Sequence, residues 1–174
     1  SKSAKVILEN MALTKIFEKQ KQRFQIGESV IEINLNQRKR IVQKVQKLLG
    51  NLKGKKIGIL GLSFKPNTND IREAPALGII QSLQKQKALI RAYDPVAIPE
   101  AKKVLKKVEF CKDAYEVANG ADCLVLVTEW NEFRELNLEK IKSLMRAPNF
   151  VDARNVYEPE LMEGLGFKYR SVGR

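Results

Sequence analysis

The sequence contains no histidine among its 174 residues, and it has only two cysteines. Without histidine, the chain has no side chain that ordinarily titrates near neutral pH, and it has no Ser–His or Cys–His nucleophile pair. Cys111 and Cys123 lie in apolar surroundings without the spacing of a metal site, so we predict no bound metal. Two unpaired thiols are typical of a reducing compartment, which favours the cytoplasm.

Long apolar runs are also missing. No stretch of about 18 apolar residues occurs, so we predict no membrane-spanning helix and no membrane partner. Residues 1–17 are interrupted by charged and polar side chains and do not form the apolar core of a signal peptide. The composition, 44% apolar and 30% charged, is nevertheless typical of a chain that buries a core. The length suits one domain, or one domain with an appendage.

Acidic residues are scarce in the first third of the chain. Residues 1–56 carry 14 of the 32 Lys and Arg residues but only 4 of the 20 Asp and Glu residues. A patch of cations lies at Arg38, Lys39, Arg40, Lys44 and Lys47. One interpretation is a basic, helix-tethered module that binds nucleic acid or an acidic partner. We favour the solvated face of a helix packed on its other side, and we predict no nucleic-acid partner.

Helical periodicity dominates this first third. Residues 11–24 place apolar side chains near one face, Gly27 is expected to break the helix, and a second helix is predicted over about 28–49. Its apolar positions follow alternating four- and three-residue steps at Ile31, Leu35, Val42, Val45 and Leu49. A helix of this length is typical of a dimer-forming connector or of a helix that lies on its own domain, and the pattern fits both.

From Lys56 onward, short apolar runs alternate with helical segments. The predicted strands cover residues 57–62, 88–93, 108–110, 122–128, 150–153 and 167–172. The predicted helices between them cover about 75–86, 97–107, 113–120, 138–145 and 158–164. This alternation predicts an α/β fold: a Rossmann-like, doubly wound parallel sheet of about six strands, preceded by the long helix. Ligands of such sheets bind beyond the carboxyl ends of the strands.

The loop after the first predicted strand, GLSFKPNTNDIREAP (61–75), carries cations where a phosphate-binding turn usually carries glycines. Lys65 and Arg72 lie just before a helix whose free backbone amides favour an anion, so the pair suits a phosphate ester or a diphosphate. Alternatively, both cations pair with Asp70 and Glu73 and only hold the loop together. Spacing alone leaves both interpretations open.

The same loop is a poor match to a dinucleotide-binding fingerprint. Gly58 and Gly61 do not complete G-x-G-x-x-G, because the third glycine is missing. Asp94 ends the second predicted strand, where an acid often binds ribose, but Pro95 follows it, and we interpret Asp94 as a turn residue. The sequence therefore does not predict an NAD site at this loop.

Five stretches resemble one enzyme family, in order along the chain. They are VIEINLNQRKRIV (30–42), GKKIGILGLSFKPNTNDIREAPAL (54–77), RAYDPVA (91–97), GADCLVLVTEWNEFR (120–134) and FVDARNVYEPELMEGLGFKYRSVGR (150–174). With them the chain resembles the C-terminal domain of bacterial UDP-glucose 6-dehydrogenases, in the UDP-glucose/GDP-mannose dehydrogenase family. UDP-N-acetylmannosamine and GDP-mannose dehydrogenases share the loop's FK…D..RE pattern and stay as alternatives. The PNT.DIREAPAL and TEWNEF motifs favour the UDP-glucose enzyme.

The resemblance implies a function for the loop. Members of the family are oxidoreductases that convert UDP-glucose with two NAD to UDP-glucuronate, which feeds polysaccharide biosynthesis. They have an N-terminal NAD-binding domain, a long central helix that forms the homodimer, and a C-terminal domain for the UDP-sugar. The resemblance implies that Phe64, Lys65 and Arg154 contact the UDP-sugar. It also implies that Arg72 reaches the NAD held mainly by the N-terminal domain.

The resemblance also assigns the two parts of the chain. Residues 1–50 correspond to the end of the central dimerisation region, and residues 51–174 to the UDP-sugar-binding domain. The family's cysteine nucleophile lies in a GGSCFPKD motif that this sequence lacks, and neither Cys111 nor Cys123 stands in a comparable position. We therefore expect no catalytic residue in this chain, and we expect the chain alone to be inactive as part of a larger enzyme.

Overall fold

The computed structural model describes residues 2–173. Its helices are α1 (Lys2–Leu49), α2 (Pro75–Lys85), α3 (Ile98–Val104), α4 (Ala114–Ala118), α5 (Asn131–Arg134), α6 (Leu138–Leu144) and α7 (Pro159–Gly164). Its strands are β1 (Lys56–Leu60), β2 (Leu89–Tyr93), β3 (Val108–Phe110), β4 (Cys123–Leu126), β5 (Asn149–Asp152) and β6 (Lys168–Ser171). The chain divides into two compact units, residues 1–37 and 38–174.

The second unit is built on a six-stranded sheet in the order β3-β2-β1-β4-β5-β6. Every neighbouring pair of strands is parallel. The predicted α/β fold with a doubly wound parallel sheet is confirmed, and each predicted strand overlaps an observed one. The chain reverses its direction of winding between β1 and β4, so loops that leave these two strands separate there and open a crevice.

Both faces of the sheet are covered, which explains why the two central strands, β1 and β4, are apolar at every position except Lys56. One face packs against α2, α3 and the last turns of α1, and the other packs against α4 to α7. All four residues of β4 and all four of β5 are buried. On the second face, the Phe150 ring meets Tyr157, Phe167 and Tyr169.

Helix α1 runs without a break from Lys2 to Leu49, so the predicted interruption at Gly27 is wrong. A glycine inside a helix costs about 1 kcal/mol relative to alanine, but unlike proline it keeps its backbone hydrogen bond. A single glycine therefore weakens a long helix without ending it. The short helix α5 was not predicted, because four residues are too few to show a helical period.

The apolar positions of α1 divide between two environments. Ile31 and Leu35, in the first unit, are 60% and 47% exposed. Val42 and Val45 are buried in the core of the second unit, and Leu49 packs partly against that core. The interpretation of the five residues as one face of a dimer-forming connector is therefore wrong for Val42 and Val45, since their side chains are already covered by their own domain. At these two positions the alternative, a helix that lies on its own domain, is confirmed.

Three of the five patch cations lie on the outer side of the same helical turns, whereas Arg38 lies against Gly78 and donates to the backbone oxygen of Glu73. Lys39, Arg40 and Lys47 are exposed, while Ile41 on the inner side is buried. This is the solvated helix face that the sequence favours. Among the described residues, no helix combines the length and the apolar character that crossing a membrane requires. The proposed functional division at residue 50 stays a prediction, and the compact unit itself begins at Arg38 because α1 contributes to its core.

Two glycines of β1 and its loop are required for close approach within the protein. A Cβ atom at Gly58 would lie 2.4 Å from Cγ1 of Val117, so glycine there lets α4 pack closely on the sheet. Gly61 has a φ of +95°, and a Cβ atom there would lie 2.5 Å from the Cβ of Thr128. These glycines allow packing and a turn, and they do not form a dinucleotide cradle.

We expect Gly61→Ala to destabilise the second unit by about 3 kcal/mol or more, because left-handed backbone strain adds to a steric clash. Urea unfolding followed by circular dichroism measures the change. Gly120→Ala is the matched control: its φ is +73°, but no atom lies within 4 Å of the added Cβ. It should cost about 1–2 kcal/mol, the strain alone. Equal losses in the two variants would show that the contact with Thr128 is unimportant.

Candidate functional site

The candidate residues lie on loops at the carboxyl edge of the sheet. Phe64, Lys65 and Arg72 are in the loop between β1 and α2, and Arg154 follows β5. Strand β4 lies between β1 and β5 in the sheet, so its own loop separates the two groups. The structure thus brings all four residues to the carboxyl edge of the sheet, the edge at which sheets of this type bind ligands.

Asp94, at the end of β2, is 1% exposed and holds several of these loops in place. Its Oδ2 accepts hydrogen bonds from the backbone amides of Leu62 and Ser63 at 2.8 and 3.1 Å, and from the Ser63 hydroxyl at 3.1 Å. The Nε1 of Trp130 also donates to it. Its Oδ1 accepts from two amides of the turn that leads into α3. The turn-residue interpretation of Asp94 is confirmed, because both carboxylate oxygens are engaged by the protein.

The loop after β4 fixes the loop after β1 from the other side. Thr128 Oγ1 donates to the backbone oxygen of Ser63 at 2.7 Å in a buried contact. The amide of Phe64 donates to the backbone oxygen of Asp70 at 2.7 Å and closes the loop on itself. Asn67 and Glu73 have positive φ values of 62° and 58°, and such backbone is retained only where surrounding contacts enforce it. The loop is therefore a fixed platform.

The two cations of this loop differ in their contacts. Arg72 donates from Nε and Nη2 to the two carboxylate oxygens of Asp70, at 3.0 and 2.8 Å. These bonds lower the pKa of Asp70 to about 2. Lys65 is exposed, and within the described part of the chain its ammonium makes no hydrogen bond or ion pair. Glu73 uses its backbone oxygen, which accepts a hydrogen bond from Arg38, and its carboxylate pairs with neither Lys65 nor Arg72. The interpretation that the cations pair within the loop and hold it together is therefore right for Arg72 and wrong for Lys65.

Arg154 is held by a residue that the sequence analysis did not single out, Glu129. The guanidinium Nε and Nη2 donate to the two carboxylate oxygens of Glu129, each at 2.6 Å. Burial raises the pKa of Glu129, but the hydrogen bonds and charge of Arg154 outweigh burial and leave that pKa below its usual value. The same contact raises the pKa of Arg154. The only sequence signal for Glu129 was its place in the TEWNEF motif.

A buried carboxylate also directs the loop that carries Arg154. Asp152, at the end of β5, is fully buried and accepts a hydrogen bond from the Arg154 amide at 2.9 Å. Its other oxygen accepts from the amides of Val156 and Tyr157 and from the Tyr169 hydroxyl at 2.7 Å. The loop after β4 contacts both neighbouring loops: Thr128 bonds the loop after β1, and Glu129 bonds Arg154 in the loop after β5. That Lys65 and Arg154 face one shared cleft stays a prediction.

Neither cysteine is suited to nucleophilic chemistry. Burial raises the pKa of the Cys111 thiol to about 11 and also raises the pKa of the Cys123 thiol. Both thiols are therefore protonated at neutral pH, whereas the thiolate is the reactive form. Among the residues that the structure describes, no three acidic or thiol side chains cluster in a way that would hold a metal ion.

Comparison with known protein families and curated proteins gives a consistent result. The sequence model of the UDP-glucose/GDP-mannose dehydrogenase family, UDP binding domain, matches residues 58–159, which include all four candidate residues. UDP-glucose 6-dehydrogenase TuaD of Bacillus subtilis is 45% identical over 152 residues, covering 87% of this chain and 33% of that protein. UDP-glucose 6-dehydrogenase of Rhizobium meliloti is 38% identical over 167 residues, covering 95% and 38%. The chain spans about a third of the length of these relatives.

Solved structures show the same likeness. A UDP-glucose dehydrogenase from Pyrobaculum islandicum aligns over 74% of this chain and 28% of that protein, with a TM-score of 0.67 and 29% identity. A UDP-D-ManNAc dehydrogenase from Pyrococcus horikoshii aligns over 76% of this chain and 28% of that protein, with a TM-score of 0.61 and 29% identity. The fold and the sequence therefore indicate one family.

We expect Arg72→Gln to raise the pKa of Asp70 from about 2 toward its ordinary 3.8, because hydrogen bonds from Arg72 are the main cause of the lowered value. Since the folded-state pKa is depressed, the interaction is fully present above about pH 4 and is lost as the pH falls toward 2. Carboxyl ¹³C NMR titration, over the pH range in which the chain stays folded, measures the change.

Lys65→Gln is the control for that titration, since Lys65 attracts Asp70 only through space and more weakly. It should raise the Asp70 pKa less than Arg72→Gln does. A larger rise with Lys65→Gln would mean that the ammonium, and not the guanidinium fork, holds the carboxylate.

Proposed function

Because this chain belongs to the UDP-glucose/GDP-mannose dehydrogenase family, we propose that it is the UDP-sugar-binding portion of an NAD-dependent UDP-glucose 6-dehydrogenase. The observation that carries the proposal is the exposed ammonium of Lys65, which pairs with no described residue and lies on a fixed loop at the carboxyl edge of the sheet. The names of the curated relatives favour UDP-glucose over UDP-N-acetylmannosamine or GDP-mannose as the substrate. The product would be UDP-glucuronate, for polysaccharide biosynthesis in the cytoplasm, where free thiols persist.

Lys65 and Phe64 are the proposed contacts to the nucleotide sugar. An ammonium that makes no internal ion pair loses little when an anion binds, and a charge-assisted hydrogen bond contributes roughly 1.5–3 kcal/mol. Phe64, beside it, is 54% exposed and offers an apolar surface to the uridine or the sugar. The buried contacts of Asp94 and Thr128 fix the loop, so binding costs little further ordering.

Arg154 is the proposed third contact to the same substrate. Glu129 occupies Nε and Nη2 and so sets the plane of the guanidinium, while Nη1 has no acceptor among the described residues. Arginine carries five N–H donors in a fixed fork, so a guanidinium oriented in this way still has donors for a hydroxyl or phosphate oxygen. We therefore assign Glu129 the role of orienting Arg154.

Arg72 is the proposed contact to NAD, which would be held mainly by an N-terminal domain of the same enzyme. Its side chain is 87% exposed, and Asp70 fixes two of its donors while Nη1 stays available. An exposed, oriented guanidinium suits a cofactor phosphate presented by another domain. When bound, NAD supplies the hydride acceptor for oxidation of the sugar alcohol.

The decisive experiment is calorimetric titration of UDP into the Lys65→Ala and Arg72→Ala variants at physiological salt. Lys65→Ala should weaken UDP binding about tenfold or more, which corresponds to roughly 1.4 kcal/mol. Arg72→Ala should change the affinity by less than about twofold, because its partner would be NAD. Circular dichroism confirms that both variants fold. Equal losses would mean that the two cations act as one phosphate clamp, and absence of UDP binding by the unmodified chain would overturn the proposal.

Homodimerisation through α1 is the second part of the proposal. The first unit exposes many large apolar side chains, which a solvated helix does not need. Those on the described part of the helix are Met11, Leu13, Ile16, Phe17, Phe24, Ile26, Val30, Ile31, Ile33 and Leu35. We expect Ile31→Asp combined with Leu35→Asp to shift the sedimentation coefficient toward the monomer value. Asn34→Asp combined with Asn36→Asp, which adds the same two charges at exposed polar positions, should not. An unchanged profile in the double variant would point to another interface.

The chain alone should not reduce NAD in the presence of UDP-glucose. Both of its thiols are buried and protonated, so no thiolate is available to form a covalent intermediate. Absorbance at the NADH band, followed with pure protein and both substrates, measures the activity. Steady NADH production that co-purifies with the chain would contradict this expectation.

A further inference from the structure

The sheet has an uncovered corner at the amino-terminal ends of β1, β2 and β3. Lys56 pairs in register with Leu89, and Arg91 pairs with Glu109, so these four side chains share one face. Helix α4, which covers this face, is only five residues long and ends beside Arg91. Leu89 is consequently 53% exposed although it lies in a strand of a doubly covered sheet.

The corner forms a groove with an excess of positive charge. Its volume is about 480 Å³, within the range of small-molecule sites. Among the described residues, its lining includes the cations Lys56, Lys87, Arg91 and Lys107 and one acid, Glu109. Arg91 Nη2 already pairs with Glu109 at 2.8 Å, and that contact lowers the pKa of Glu109. None of the three lysine ammonium groups forms an ion pair within the described part of the chain, although Glu109 attracts Lys56 through space.

The backbone at the rim of the groove is held in an unfavourable conformation. Lys87 and Lys107 have φ values of 63° and 55°, in the left-handed region that glycine or asparagine usually occupies. The side-chain amide of Gln84 donates to the backbone oxygens of Lys106 and Lys107, at 2.7 and 3.2 Å. The oxygen of Lys87 accepts from the Gly54 amide at 2.9 Å. Both lysines are thus positioned by fixed turns.

Arg91 adds a second observation. Its Nη1 donates to the backbone oxygens of Glu116 and Asn119, at 2.9 and 2.6 Å, which fixes the guanidinium at the end of α4. Its Nε is buried and has no acceptor among the described residues. A buried donor without an acceptor is uncommon in folded proteins and is costly unless another group satisfies it.

We propose that this groove binds a small organic phosphate. The anionic oxygens of the ligand would lie near the lysines and Arg91, and its apolar or ring portion would pack on Leu89. The charge, the size and the exposed apolar side chain on the sheet together favour this ligand class over a simple inorganic ion. The groove lies at the amino edge of the sheet, and the candidate UDP-sugar residues lie at the carboxyl edge. The proposal is therefore independent of the proposed function.

The test uses ADP as the probe, titrated into the chain in the presence of saturating UDP, with the Lys65→Ala variant as a second background. We expect ADP binding in both backgrounds, with ¹⁵N chemical-shift changes at residues 87–91 and 107–109 and not at residues 62–72. Lys87→Glu combined with Lys107→Glu should weaken ADP binding about tenfold or more. Lys39→Glu combined with Lys47→Glu makes the same charge change on exposed residues of α1 and should have little effect.

Leu89→Ser tests whether the apolar or ring portion of the ligand contacts Leu89. It should weaken binding of ADP several-fold and leave binding of inorganic pyrophosphate unchanged. Equal losses in the two lysine double variants would show a general charge effect and overturn the site. Loss of ADP binding on addition of UDP, or shifts confined to residues 62–72, would also overturn it. Tighter binding of a short single-stranded DNA, unaffected by Leu89→Ser, would replace the small-molecule assignment with a nucleic-acid surface.

Discussion

The carboxylate of Asp94 accepts hydrogen bonds from the loop after β1, from the turn that begins α3, and from Trp130 after β4. A carboxylate at 1% exposure is tolerated because its lone pairs are satisfied, and removing it would leave several buried donors unpaired. The loop that carries Lys65 owes its position to this group. The arrangement of the candidate site therefore depends on a residue that touches no proposed ligand.

The loop after β4 connects the loop that carries Lys65 with the loop that carries Arg154. Thr128 bonds the β1 loop, and the next residue, Glu129, holds the fork of Arg154. Two adjacent residues thus connect the ends of strands that are not neighbours in the sheet. The close approach of Gly61 to Thr128 makes this connection possible, which accounts for a glycine at that position without a dinucleotide ligand.

The internal ion pairs of the site distinguish two kinds of cation. Arg72 and Arg154 are each oriented by one carboxylate in a two-point contact, so their planes are fixed before any ligand arrives. Lys65 has no such partner in the part of the chain that the structure describes, and its flexible ammonium can adapt to the ligand. Oriented guanidinium groups suit ligand oxygens in a defined arrangement, and a mobile ammonium suits neutralisation of the negative charge of a ligand.

The sequence by itself determined the parallel sheet. The spacing of apolar residues shows which segments are strands and which are helices, and short connections between alternating strands and helices allow few topologies. It also identified the family, and it located the loop with Lys65 and Arg72. The tertiary structure alone decided that Glu129 is the partner of Arg154, and it decided between the two interpretations of the loop: Asp70 pairs with Arg72, and the ammonium of Lys65 makes no ion pair with any described residue. Pairing depends on which loops become neighbours at the sheet edge, and residues 25 apart in sequence carry no local period that reveals it.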